Sequence, residues 1–290
     1  MINLMISFLF IFSSNSVPLP TDYQFDTVTN KYEYFSDKYV LPKEKDNQNI
    51  DSKSYILLNL TDKKVVSSKN ITQTIYPASM TKLATVYMGL NFLTEENIIV
   101  KKGAKDINVN GSIYIPVNTG DKISKQDLLK ALLLPSANDA GLAIACEFEN
   151  YNKLQNLEMK KIGMLQTNFT NPHGLHDNNH YTTLYDLYIL LNNLKENKEF
   201  LNIESKTNDT IKVNDKNINI TTTNLFKQGV YKLPKNVKIL AGKTGTTNEA
   251  GKCLIIYFSK SGKEYIAGIA GSANSNTLYN DMLKLINGAK

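Results

Sequence analysis

Tyr76-Pro77-Ala78-Ser79-Met80-Thr81-Lys82 is the stretch on which the reading of this chain turns. Pro77 is a start signal for a helix. Met80, Leu83, Ala84, Met88 and Leu90 then recur at the spacing of one helical face over residues 80–93. Ser79 and Lys82 are three residues apart at the start of that helix, so their side chains point to the same side. A serine hydroxyl becomes a nucleophile only with a base in hydrogen-bond reach. Lysine can be that base when burial and a nearby like charge lower its pKa. The helix N-terminus also favours negative charge developing on the Ser79 Oγ. Alone, S-x-x-K fits an ordinary exposed helix turn in roughly nine cases of ten.

Two further strings reverse those odds. Ser136-Ala137-Asn138 follows 57 residues after Ser79, and Lys243-Thr244-Gly245 lies 107 residues after Ser136. S-x-N is unspecific, since Ser13-Ser14-Asn15, Ser68-Lys69-Asn70 and Ser272-Ala273-Asn274 also fit it; S-x-x-K and K-T-G each occur once. The weight rests on order, spacing and context. Ser136 can relay a proton between a leaving group and a lysine. Asn138 can hold Lys82 and a substrate amide. Lys243 and Thr244 at a strand edge can bind a carboxylate, and Lys243 supplies the like charge that Lys82 needs. Gly245 is expected to let a substrate strand approach closely.

Outward from these strings the chain reads as α+β. Tyr55–Leu60 is a strand, Asp62-Lys63 a turn, and Lys64–Ser67 its partner. Ser124–Leu134 is a helix with a Ser cap and Asp127 three residues on. Pro135 stops it, and Asp139–Phe148 is the next helix, so the Ser-Ala-Asn triplet lies between two helices. Tyr151–Met164 and Thr183–Asn193 are further helices, with the Asn171-Pro172-His173-Gly174-Leu175 loop between them. Residues 203–222 read as a hairpin or an exposed excursion. Val237–Gly242 is a strand running into Lys243. Residues 253–259 and 264–271 pair across Ser261-Gly262, and Asn276–Ile286 closes the chain as a helix. Strands at both ends with helices between predict a mostly antiparallel sheet beside a helical lobe.

Composition narrows the class. All basic residues are Lys, 33 of them, and the net charge is +6. That balance suits an anionic wall polymer. The lysines are scattered with no aromatic-basic motif, which excludes a nucleic-acid module. Cys146 and Cys253 are too few for a disulfide framework, and both lie in apolar runs as buried small hydrophobes. His173, His176 and His180 fit H-x-x-H-x-x-x-H. Their Asn/Pro/Gly-rich segment favours hydrogen-bonded or exposed imidazoles over a metal site. No cofactor or metal is called for.

Leu4–Phe12 is an apolar run too short to span a bilayer and matches a secretory signal. The expected division is a signal peptide at 1–16, an N-terminal extension with little regular structure at 17–50, and a catalytic domain at 51–290. The protein is expected to be exported to the cell-wall space, membrane-associated only if the signal is retained.

The combined strings resemble the low-molecular-mass D-alanyl-D-alanine carboxypeptidases, serine-type penicillin-binding proteins. The resemblance extends through Leu132–Ala140, Asn171–Leu175 and Gly242–Thr246, and covers about residues 50–290. It implies a five-stranded, mostly antiparallel sheet flanked by helices, with a helical lobe and the site between them. It implies Ser79 as nucleophile, Lys82 as base, Ser136 and Asn138 as their catalytic partners, and Lys243, Thr244, Gly245 and Thr246 as the substrate-binding strand. The backbone amides of Ser79 and Thr246 would form the oxyanion hole. The implied substrate is the peptidoglycan stem peptide, and β-lactams would acylate Ser79. The chain departs from the family in two ways. Lys290 follows directly on the catalytic unit, so peripheral or no membrane contact is expected, and no Arg stands near the substrate carboxylate.

A class A β-lactamase would need a deacylating Glu, and Glu199-Phe200-Leu201-Asn202 has the wrong spacing. A D,D-endopeptidase would use the same site. A non-enzymatic wall-binding or β-lactam-sensing protein would not need Ser79, Lys82 and Lys243 together.

Overall fold

In a computed structural model, residues 45–107 and 113–290 are described in full, together with three short strands nearer the N-terminus. Those strands are β1 (Gln24–Asp26), β2 (Lys31–Tyr34) and β3 (Tyr39–Val40), paired antiparallel in that order. They fall within the extension expected to have little regular structure. The expected signal segment lies outside the described residues.

The main elements follow in chain order. The first hairpin is β4 (Ser54–Asn59) and β5 (Lys64–Lys69), with Lys63 in the left-handed region at the turn. A 3-10 turn at Ala78–Thr81 leads into α1 (Lys82–Phe92). Next come β6 (Asn97–Ile99), β7 (Lys122–Ser124), α2 (Lys125–Leu133), α3 (Asn138–Ala145) and α4 (Tyr151–Lys161). They are followed by α5 (Leu184–Leu194), α6 (Lys198–Glu204), and the hairpin β8 (Asn208–Val213) and β9 (Lys216–Thr221). The chain ends with β10 (Val237–Thr247), β11 (Gly251–Lys260), β12 (Lys263–Ser272) and α7 (Ser275–Gly288).

The central sheet has the order β10-β11-β12-β4-β5, and every neighbouring pair is antiparallel. Both of its faces are covered, which is why β4, β11 and β12 read as near-continuous apolar runs rather than alternating ones. The period-2 geometry still sorts the side chains. Tyr55 and Leu57 of β4 join Leu254, Ile256 and Phe258 of β11 in a core with α7. Ile56 and Leu58 join Ile255 and Tyr257 in the larger core with α1, α2, α3 and α5. Residues 45–50 pack on the same sheet, where the Lys45 carbonyl accepts from Ser68 N at 3.1 Å and Tyr55 Oη donates to Asp46 at 2.5 Å.

Two features differ from the sequence reading, and a third decides between two alternatives it left open. α1 is not one-sided: Lys82, Leu83, Ala84, Thr85, Val86, Met88 and Gly89 are all buried, so it is the central helix of the lobe. α6 is present although its short, polar sequence gives no periodic signal; Asn197 Oδ1 caps it by accepting from Phe200 N. The 203–222 segment is a hairpin, and with β6 and β7 it makes a second, four-stranded sheet.

Candidate active site

The turn that carries Ser79 is held from behind. Ala78 has φ +48°, unusual for a residue with a Cβ, so the turn needs external support. Thr81 Oγ1 donates to the Ala78 carbonyl at 2.8 Å, and His180 Nε2 lies 2.7 Å from Thr81 Oγ1. His180 Nδ1 accepts from Thr170 N at 3.0 Å, which places the imidazole proton on Nε2. Gly174, at φ +85°, lies so close that a Cβ there would sit 1.9 Å from the Ala78 oxygen. The 3-10 turn therefore rests on the Asn171–Leu175 loop.

Lys82 is fully buried and its Nζ has three partners: Ser79 Oγ at 2.8 Å, Asn138 Oδ1 at 2.7 Å and the His173 carbonyl at 2.6 Å. Burial first, and then the Lys243 charge, hold its pKa well below the ordinary lysine value; Asp139 opposes them. A neutral amine has two N–H donors and one lone pair. The oxygens of Asn138 and His173 can only accept, so they take the two protons and the lone pair is left facing the Ser79 hydroxyl. This is the geometry of a serine activated by a general base.

Asn138 begins α3, and the residue two before it, Ser136, has φ +67°. That strained corner is fixed by Ala137 N donating to the Ala131 carbonyl (3.0 Å) and Asn138 N to the Ile113 carbonyl (2.8 Å). Buried Asp139 accepts from the backbone amides of Ile115 and Val117 (2.9 Å for Val117), tying the 113–117 segment to the same corner.

Lys243 reaches the corner from β10. It is buried, and its Nζ donates to Ser136 Oγ at 2.8 Å and to the Thr244 carbonyl at 3.2 Å, leaving one ammonium proton to meet an anion. Burial pushes its pKa down to about 7, with Glu204 acting the other way. Thr244 Oγ1 lies 2.6 Å from Thr223 Oγ1, and Thr246 is exposed further along the strand. Lys82, Ser79 and Asn138 thus form one hydrogen-bonded group, and Lys243, Ser136 and the Thr244 carbonyl a second, the two joined through the Ser136–Asn138 backbone.

Gly245 stands where β10 passes the Ser79 turn. A Cβ there would lie 2.7 Å from the Pro77 oxygen and 3.2 Å from the Ala78 Cβ. The glycine lets β10 cross the Ser79 turn at close contact.

Sequence reasoning missed three contributors. The His173 carbonyl acts through its backbone, which no residue identity announces. Thr223 and Glu204 become neighbours of β10 only through tertiary contact. The three histidines have separate surroundings: His180 is buried under the turn, His173 bends over Lys82, and His176 stands edge-on to Tyr76 with Glu249 at 3.9 Å. Among the described residues no group of three His, Cys, Asp or Glu is arranged to hold a metal ion. Cys253 is buried as expected, whereas Cys146 is only half-buried; both are free thiols.

The family model described as Peptidase S11, D-alanyl-D-alanine carboxypeptidase, matches residues 41–274. The D-alanyl-D-alanine carboxypeptidase DacF of Bacillus subtilis is 30% identical over 233 residues, 77% of this chain and 58% of its own length. This chain therefore spans somewhat over half of that relative. Among solved structures, the Streptomyces K15 DD-transpeptidase superposes with a TM-score of 0.75 at 20% identity, over 83% of this chain and 97% of that one. Penicillin-binding protein D2 from Listeria monocytogenes, in its cefotaxime-bound form, gives 0.72 at 23% identity, over 84% and 99%. At those identities the two structures establish the fold.

Proposed function

The chain belongs to the Peptidase S11 family of D-alanyl-D-alanine carboxypeptidases, and on that premise we propose that it removes the terminal D-Ala from peptidoglycan stem peptides through an acyl-enzyme on Ser79. The observation that carries the reading is the arrangement of Lys82, whose two other partners are acceptors and whose lone pair is left to Ser79.

In the proposed reaction the substrate carboxylate docks on the free ammonium proton of Lys243, beside the hydroxyls of Thr244 and Thr246. Ser79 Oγ attacks the carbonyl carbon of the penultimate D-Ala while its proton passes to Lys82 Nζ. The tetrahedral oxygen takes its charge toward the backbone amides of Ser79 and Thr246, on the two segments that Gly245 holds together. Ser136, bonded to Lys243, hands its proton to the departing amine and takes in its place the proton that Lys82 received from Ser79, so that Lys82 is neutral again; Asn138 holds the other side of the substrate. The C–N bond breaks and D-Ala leaves. Water then adds to the acyl carbonyl, its proton going to the neutral Lys82, which returns it to Ser79 Oγ as the acyl C–O bond breaks. A β-lactam carries a carboxylate and a strained amide, so it enters the same path and stops at the acyl stage. Export through the 1–16 segment would place the 51–290 catalytic unit at the wall; among the described residues no helix is long and apolar enough to cross a membrane.

The test is intact mass of the purified chain mixed with benzylpenicillin, beside D-Ala release from a stem-pentapeptide analogue. A one-to-one adduct and D-Ala release, both abolished in Ser79→Ala, are expected. Turnover of penicillin without an adduct would assign a β-lactamase. Cleavage of cross-linked dimers but not of pentapeptide would assign an endopeptidase.

A further inference from the structure

Glu204 is the last residue of α6, buried directly behind the strand that carries Lys243. Its Oε2 accepts from Gly242 N at 3.2 Å and from Lys227 Nζ at 2.6 Å, and Lys227 Nζ also donates to the Glu204 carbonyl. The other carboxylate oxygen, Oε1, is buried with no hydrogen-bond partner. A buried ion pair of this kind contributes little net stability, and apolar replacements commonly match it. What it does provide is a fixed backbone amide one residue before Lys243 and a negative charge in a region of low dielectric.

We propose that Glu204 is a positioning residue for Lys243: it fixes the Gly242–Lys243 backbone and supplies the negative field that keeps the Lys243 ammonium charged for a substrate carboxylate. This rests on Lys243 being the carboxylate anchor. The charged groups around Lys243 are few. Among the described residues Glu204 on α6 attracts it, Lys227 lies beyond Glu204 and neutralises part of that attraction, and Lys82 on α1, neutral as a base, adds no charge; its register partner on β11 is the uncharged Ile255. Burial alone would strip the proton, and Glu204 is the group that opposes this. The Lys227 pairing has a separate consequence: its bonds to the Glu204 carboxylate and carbonyl hold that carboxylate against Gly242 N.

The experiment is kcat/KM against pH for a D-Ala-D-Ala peptide with a free carboxylate and for its C-terminal amide. In Glu204→Gln the alkaline limb for the acid peptide should move to lower pH, giving about a tenfold loss at pH 8, while the amide changes less than about twofold. Glu204→Asp, which keeps the charge, should hold the limb in place. In a Lys243→Ala background Glu204→Gln should add nothing, because its effect travels through Lys243. If Glu204→Gln does not fold, the paired Glu204→Met, Lys227→Met replacement removes both charges with an apolar core and should show the same shift. Equal losses for acid and amide peptides, or an unmoved limb, would overturn the proposal. If Lys243→Ala itself fails to discriminate acid from amide, the anchor reading falls instead.

Discussion

At the scale of single residues, the site is set by atoms that a sequence motif does not name. Ser79 and Lys82 are legible because their spacing is local: three residues on one helical turn must share a side. Of the two acceptors that orient Lys82, Asn138 is legible from the S-x-N string, whereas the other is a backbone carbonyl 91 residues away at His173. Gly174 illustrates the cost of disturbing that backbone. It combines φ +85° with a position only 1.9 Å from the Ala78 oxygen once a Cβ is added. Gly174→Ala is therefore expected to destabilise the chain by more than about 2 kcal/mol. It should also slow acylation by displacing the Ser79 turn. Urea unfolding and the rate of penicillin adduct formation check both; a wild-type rate would show that the loop does not set the position of Ser79.

At the scale of elements, legibility follows capping and periodicity. Ser124 Oγ accepts from Asp127 N at 3.0 Å, the start signal read for α2, and Thr183 Oγ1 caps α5 in the same way by accepting from Asp186 N at 3.0 Å. The strands of the central sheet were equally plain, because six to eleven residues of β-branched and aromatic sequence carry a strong local preference. β6 and β7 have three residues each, too short to show a period, so the second sheet exists only through its pairing with β8. α6 is likewise set by its cap and by burial of Phe200 and Ile203 rather than by pattern. Caps at sites remote from the chemistry should affect stability alone. Ser124→Ala is expected to cost about 1 kcal/mol, read as a lower urea midpoint, with acylation of Ser79 unchanged. A matching loss of acylation would mean that α2 positions Ser136 more directly than the Ala131–Ala137 hydrogen bond suggests.

At the scale of the whole molecule, burying a proton-transfer site leaves several ionisable groups away from water, and their pKa shifts act on folding together. Burial pushes His173 down to about 3 and His180 to about 4, below the ordinary value of 6.5. In the unfolded chain both imidazoles take up protons below pH 6.5, whereas the folded state resists, so stability is lost as the pH falls. Lys82, also held below its ordinary value by burial, acts in the same direction. Asp186 opposes them: burial raises it to about 6, so acidification from pH 6 toward 4 favours the folded state. Asp139 is raised by burial as well, so the two carboxylates offset part of what the two imidazoles and Lys82 add, and the net uptake on unfolding is about one proton, roughly 1.4 kcal/mol per pH unit. The urea midpoint is therefore expected to fall between pH 6 and pH 4.5. His180→Gln should nearly flatten that dependence and Asp186→Asn should steepen it. The two variants probe opposite signs, so a common denaturation pathway cannot imitate both. Equal slopes in all three proteins would show that these groups are solvated in the folded state, and that the pocket behind Ser79 is wetter than its hydrogen-bond chain through His180 and Thr81 implies.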